Sequence, residues 1–295
     1  MTSCPWQHAS VISYHVEAWT VADDASIPAS PPQLTLLGGF SLQVRHETAP
    51  LTPSSRRLVA LLALHGPALG RGYVAGLLWG DSTEARASGC LRSALWKLRA
   101  AGLGVVGTFG DSLMLSPDVD VDVRQVTNLA RSVVAGGFGE DAFALLDPCF
   151  SAELLPGWHD EWVLGARERH RQLILHALEL LCEHLTSTGR YGAAVLAGLT
   201  AVDREPLRES AHRALMKVHL AEGNAGEALR RYRQYEAIAA RDLGVEPSAM
   251  MRSLLSQIAT VLPVSCPGRR PARVHAPQGV AGPHAAFADA FMTRP

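Results

Sequence analysis

The sequence predicts a mainly helical chain with a small β component, a mixed N-terminal module followed by an all-α one. Three observations carry that reading. Between Thr83 and Ala101, the residues Ala87, Leu91, Ala94, Leu95 and Leu98 recur every three or four positions, which places them on one face of a helix. Alternating apolar residues bracket that helix, at Leu34 to Val44 before it and Val105 to Leu115 after it, the period of half-buried strands. Farther on, Gly189-Arg190-Tyr191-Gly192-Ala193-Ala194 and Gly223-Asn224-Ala225-Gly226-Glu227-Ala228 echo each other at an offset of 34 residues, a period at which helix pairs stack.

Length and composition agree with two modules: 295 residues at 47% hydrophobic content can fill a core in each. The net charge of −1 hides an asymmetry, with residues 34–116 at net +4 and residues 117–262 at net −5. A basic module beside an acidic one suggests an anion reader joined to a part that avoids nucleic acid. The five cysteines, Cys4, Cys90, Cys149, Cys182 and Cys266, are odd in number and scattered, which points away from a disulfide framework and towards a reducing, cytoplasmic setting. Among the twelve histidines, His176 and His184 flank Cys182 at six and two residues, spacings that do not bring three ligands to one helical face. Neither a metal nor a cofactor is expected. No apolar run approaches the roughly 18 residues a membrane-crossing helix needs, so no membrane partner is expected either.

In chain order, residues 1–33 carry Pro28, Pro31 and Pro32 with no sustained period and read as a disordered leader. Leu34 to Leu37, a Gly38-Gly39 break and Phe40 to Val44 read as a small antiparallel sheet. Thr52-Pro53-Ser54 opens a helix capped by Ser54 or Ser55 and stopped at Gly66-Pro67. A second helix runs from Arg71 to Trp79, the Thr83 helix follows, and Phe109-Gly110-Asp111 turns a hairpin between Val105 and Leu115. Residues 117–262 read as helices almost throughout, including Asp120 to Val134 and a long one from Trp158 to Leu185. Two repeat units fall short of the three or so such stacks need, so the long helix upstream has to complete them. Asp118, Asp120 and Asp122 alternate with Val119, Val121 and Val123 and read as plain polar positions at the junction. Residues 263–295, rich in Pro, Gly and Ala, read as a disordered tail.

The free face of the Thr83 helix carries Arg86, Gly89, Arg92, Ser93, Trp96 and Lys97, joining cations that can hold phosphate or a guanine edge to a small hydroxyl and a flat aromatic. Gly89, at its centre, permits close approach of a backbone at a cost of about 1 kcal/mol in helix propensity. Sheet, three helices and a terminal hairpin, with the third helix cationic, is the order of a winged helix-turn-helix of the OmpR type.

The segments LLGGFSLQV, WGDSTEARASGCLRSALWKLR and GDSLMLSP resemble the N-terminal domain of the Streptomyces antibiotic regulatory proteins, the SARP family. LLPGWHDEWV, REPLRESAHRALMKVHLAEGNAGEALRRYRQYE and RDLGVEPS resemble the bacterial transcriptional activation domain that follows it in the same family. The resemblance implies a winged helix-turn-helix over residues 34–116 and a helical, tetratricopeptide-like activation domain over 117–262. It also implies a DNA-contacting set of Arg86, Ser88, Arg92, Ser93, Trp96, Lys97 and Arg99 on the recognition helix and Thr108 on the wing. The implied partners are double-stranded DNA with direct repeats near promoters, RNA polymerase through a sigma factor region, and further copies of the chain on DNA. Larger relatives carry an ATPase here, but no GxxxxGK[ST] loop occurs in this sequence.

Enzyme motifs are also missing, with no GxSxG, HExxH or paired carboxylates. The competing reading is a helical-repeat scaffold whose winged helix grips protein, since fold alone does not fix function and an outward Trp96 suits a protein interface.

Overall fold

The computed structural model describes residues 31–66, 68–147 and 152–261. Nearly all of the leader and the whole tail read from the sequence lie outside those residues, although Gln33 is already part of the first strand. Strands β1 (Gln33–Thr35), β2 (Ser41–Val44) and β3 (Glu47–Thr48) form an antiparallel run, with the buried Leu34 opposite the buried Leu42. Arg45 and His46 turn β2 into β3 with φ of 55° and 67°, the positive values a two-residue hairpin turn of this hand demands.

Helix α1 (Pro53–Leu64) is capped by Thr52, whose hydroxyl accepts from the Ser55 backbone N–H at 3.4 Å. The sequence points to Ser54 or Ser55, but Pro53 has a helical φ and no N–H to lose, so the helix starts there and the cap moves back to Thr52. Strand β4 (Leu69–Gly70), α2 (Arg71–Leu78), α3 (Glu84–Ala100), and the hairpin β5 (Val106–Phe109) and β6 (Ser112–Leu115) follow. Gly110 takes a φ of 57° in the two-residue turn of that hairpin. The short β4, which the sequence pattern does not announce, pairs with β6 and makes the wing three-stranded. The apolar face of α3 read from the sequence, Ala87, Leu91, Ala94, Leu95 and Leu98, is the face that is buried, against α1 and α2.

Strand β7 (Asp120–Val121) follows the wing and returns to pair parallel with β1, so the first sheet continues beyond residue 116. The all-α part then runs through α4 (Asp122–Val134), a 3-10 segment (Glu140–Leu146), α5 (Glu161–Ser187), α6 (Tyr191–Arg204), α7 (Glu209–Ala221), α8 (Ala225–Asp242) and α9 (Ala249–Val261). The repeat is visible in the element bounds: α5 and α7 end 34 residues apart, and α6 and α8 begin 34 residues apart. The long α5 thus supplies the first helix of the first pair, and α9 packs on α7 and α8 at the far end. Gly198 on α6 explains how closely the pairs stack, because a Cβ there would lie 3.0 Å from the Leu215 side chain and 3.4 Å from the Cys182 sulfur.

The two parts share one core. A continuous apolar cluster runs from Leu34 and Leu58 through Val126 and Val163 to Val218, and a second gathers Met216, Tyr232, Tyr235, Met251 and Ile258. Polar contacts lock the joint. The Asp122 carboxylate accepts from the backbone N–H groups of Leu36 at 3.0 Å, Leu37 at 2.9 Å and Val123 at 2.6 Å. This corrects the plain polar role that the alternating Asp-Val pattern suggests for it. Arg124 donates to the carbonyls of Ala63 at 3.0 Å and Leu62 at 3.2 Å, satisfying the open C-terminal end of α1. Arg57 pairs with Asp160, and Leu36 O accepts from Leu155 N at 2.8 Å.

His170, on α5 behind α4, is a buried histidine whose basicity falls to about 4 because burial penalises the charged ring and Arg204 repels the proton. The unfolded chain takes up that proton near 6.5, whereas the folded chain refuses it until about pH 4. Stability is therefore full above pH 6.5 and is lost as the pH falls towards 4, by roughly 3 kcal/mol if the whole shift is realised. Burial also lowers His65, His212 and His219, so they act in the same direction. Urea unfolding at pH 7.5, 6.0 and 5.0 should show this decline, and His170→Phe should make it shallower. Parallel declines in the two proteins would remove His170 from the account.

Candidate nucleic-acid interface

The third helix projects from the N-terminal part with its apolar side inward, which fixes what faces out. Arg86, Arg92, Ser93, Trp96, Lys97 and Arg99 are exposed, Trp96 to 68%, while Ser88 is half-buried. At about 100° per residue, Gly89 and Trp96 form the middle of the free face with Ser93 beside them, Arg86 and Lys97 stand to one side, and Arg92 stands to the other. Ser88 and Arg99 fall lower, on the flank next to Leu95. The structure thus brings Arg86, Arg92, Ser93, Trp96 and Lys97 together and sets Ser88 and Arg99 at the edge. Thr108 lies on β5, half-buried and opposite Leu113 in the hairpin.

Charge pairing distinguishes this face from most of the helical part. In the helical part, Arg167 pairs with Glu153, Arg171 with Glu168 and Glu205, Arg208 with Glu179, Arg213 with Glu209, and Lys217 with Glu183. Among the described residues, Arg86, Arg92, Lys97 and Arg99 have no such carboxylate partner. Unneutralised cations gathered on one helix of a folded protein are what a polyanion requires.

Two exposed aromatics belong beside the residues named from sequence. Phe109, 58% exposed, ends β5 at the turn of the wing, and Tyr73, 55% exposed, stands on α2. The sequence shows Phe109 next to Gly110-Asp111, and an apolar side chain at a hairpin tip is the pattern that points to it. Tyr73 gives no such sign, because α2 is too short for its period to mark an outward face. The wing is tied to the start of α2 through Arg71 N, which donates to Asp111 O at 3.1 Å, so α2 and the wing are held in register.

The helical part carries the identification. Residues 122–259 match the family model described as the bacterial transcriptional activator domain. The match begins at Asp122, the residue that fastens α4 to the first sheet, and runs into α9. A solved structure of Mycobacterium tuberculosis EmbR in complex with a low-affinity phosphopeptide shares the fold, with a TM-score of 0.60 at 24% identity. The likeness covers 79% of this chain and 66% of the EmbR chain, just under two thirds of its length. No curated protein matches the chain. The winged helix thus stands in front of the residues that match the activator-domain model, in a fold shared with EmbR. Among the described residues no helix is long and apolar enough to cross a membrane.

Gly89 offers a test that separates a DNA-facing helix from a merely solvated one. A Cβ at Gly89 would find only the Arg92 guanidinium, at 3.7 Å, so alanine fits the folded protein. Gly89→Ala should therefore stabilise the chain by about 0.5–1 kcal/mol through helix propensity. If a DNA backbone comes close at that point, the same change should weaken DNA binding, measured by fluorescence anisotropy. A gain in stability with unchanged DNA affinity would show that nothing approaches Gly89.

Proposed function

We propose that the chain is a DNA-binding transcriptional activator that lays α3 in the major groove of double-stranded DNA and rests its wing on the neighbouring backbone. The observation that carries this is the set of unpaired cations around Trp96 on α3, set against an activator domain whose cations are largely paired. The activator domain, net −5 over residues 117–262, is poorly suited to touch DNA and supplies the surface that recruits RNA polymerase through its sigma factor. Copies of the chain line up head to tail on direct repeats, because no heptad seam imposes the two-fold dimer that matches a palindrome.

The test is a footprint and binding isotherm on genomic fragments at graded salt, followed by spacing variants of the footprinted site. Repeats should lie about 10–10.5 bp apart, one helical turn, and adding about 5 bp should rotate the second copy to the far side and abolish cooperative binding. Best binding to an inverted repeat would replace the head-to-tail arrangement with a two-fold dimer. Absence of salt-dependent binding to any fragment would favour the scaffold reading, in which the exposed Trp96 anchors a protein partner.

A further inference from the structure

We propose that the joint between the winged helix and the activator domain binds a small organic anion, a carboxylate carried on an apolar body. A cavity of about 530 Å³ opens there between the C-terminal end of α1 and one face of α4, a size that suits a ligand of one or two rings. Ala63, Leu64 and Val123 give it apolar lining, while Thr127, Asn128 and Arg131 contribute a hydroxyl, an amide and a guanidinium. No carboxylate lines it, although residues 117–262 are net negative. The end of a helix ordinarily repels anions through its open carbonyls. Here Arg124 already holds Leu62 O and Ala63 O, so the negative pole of α1 is neutralised before a ligand arrives. Arg131, in contrast, has no carboxylate partner among the described residues and remains available for the bidentate grip that guanidinium gives a carboxylate.

One orphaned polar atom at the cavity supports the same assignment. Among the described residues, the buried ring nitrogens His65 Nδ1, Trp162 Nε1 and His170 Nε2 lack hydrogen-bond partners. His65 lines the cavity and meets Trp162 edge-on, with ring centroids 5.9 Å apart. His170 turns its other nitrogen, Nδ1, to the hydroxyl of Thr127, a lining residue, at 3.5 Å, so its Nε2 points away from the cavity. Buried polar atoms without partners are uncommon, and His65 Nδ1 is the one of these that belongs to a lining residue, so it is the atom a ligand in this acid-free cavity meets when the ring turns. Because the lining comes from α1 on one side and α4 on the other, a bound anion bridges the DNA-reading part and the activator domain.

The experiment uses the full chain without DNA, so its outcome is separate from that of the DNA-binding reading. Calorimetry with 1-naphthoate should show one site per chain, and the neutral isostere 1-naphthamide should bind at least about tenfold more weakly, since the charge-assisted bond is lost. Arg131→Met, an exposed position where the fold is retained, should reduce naphthoate affinity by about tenfold or more and bring it close to that of the amide. Arg233→Met, an exposed substitution on α8, should leave it unchanged. Naphthoate should also raise the thermal midpoint of the native chain and not that of Arg131→Met. No naphthoate binding at millimolar concentration, equal binding of acid and amide, or indifference to Arg131→Met would each overturn the proposal.

Discussion

Asp122→Ala is expected to destabilise the chain by about 3 kcal/mol, because it leaves the N–H groups of Leu36, Leu37 and Val123 without their acceptor in a part-buried joint. For a folded unit of this size that corresponds to a fall of about 6–12 °C in the thermal midpoint. The carboxylate is not there without cost. Burial raises its pKa above the ordinary value, outweighing the three backbone donors that lower it, with Asp120 adding to the rise. A carboxyl that holds its proton more tightly when folded contributes most at low pH, and that contribution declines as the pH rises through the folded pKa. Asp122→Asn, which keeps one acceptor oxygen and removes the buried charge, should therefore cost clearly less than alanine at pH 7. Equal losses in the two variants would show that charge, and not the backbone acceptor, is what the joint uses. The same contacts bear on truncation: a fragment ending near Pro117 lacks Asp122, β7 and Arg124, and should melt below the full chain even if it still binds DNA.

Periodicity made most of the N-terminal part legible. The five apolar residues of α3 are the five it buries, because an amphipathic helix writes its inner face at regular spacing. The hairpin was readable for the same reason, through strand alternation on either side of Phe109-Gly110-Asp111. The 34-residue echo placed the starts of α6 and α8, since the small residues Ala194 and Ala228 recur where helices stack. What escaped the pattern depends on distant partners. Nothing near Leu69-Gly70 shows that β6 will lie beside it, and nothing near Asp122 shows that the amides of Leu36 and Leu37 will arrive there. The tie from Arg124 to the end of α1 likewise links residues about 60 positions apart. On the candidate interface, residue types and helical phase were sufficient to name the free face of α3. They were not sufficient to show that its cations go unpaired while most of those in the helical part are neutralised, which is a property of the folded surface.

Arg92→Ala and Lys97→Ala are expected to weaken DNA binding in two different ways, and the difference follows from where the side chains stand. Both are exposed and unpaired by carboxylates among the described residues, so neither change should disturb folding, and unfolding midpoints should match the native chain. Lys97 stands beside Arg86 on one side of the free face, as a compact ammonium on a flexible stem. Such a group suits a phosphate, so Lys97→Ala should lower affinity for all sequences alike and reduce the salt slope by about 1. Arg92 projects on the other side, next to Trp96, and carries the planar fork that matches the O6 and N7 acceptors of guanine. Arg92→Ala should cost about 1–3 kcal/mol on the footprinted site and much less on unrelated DNA, relaxing preference at one base pair. Arg99, on the flank beside Leu95, should matter less than either. Anisotropy titrations at three salt concentrations, on the footprinted site and on a scrambled one, distinguish the two patterns. Native affinity and native salt slope in both variants would mean that α3 does not face DNA, and the unpaired cations around Trp96 would then require a different polyanion.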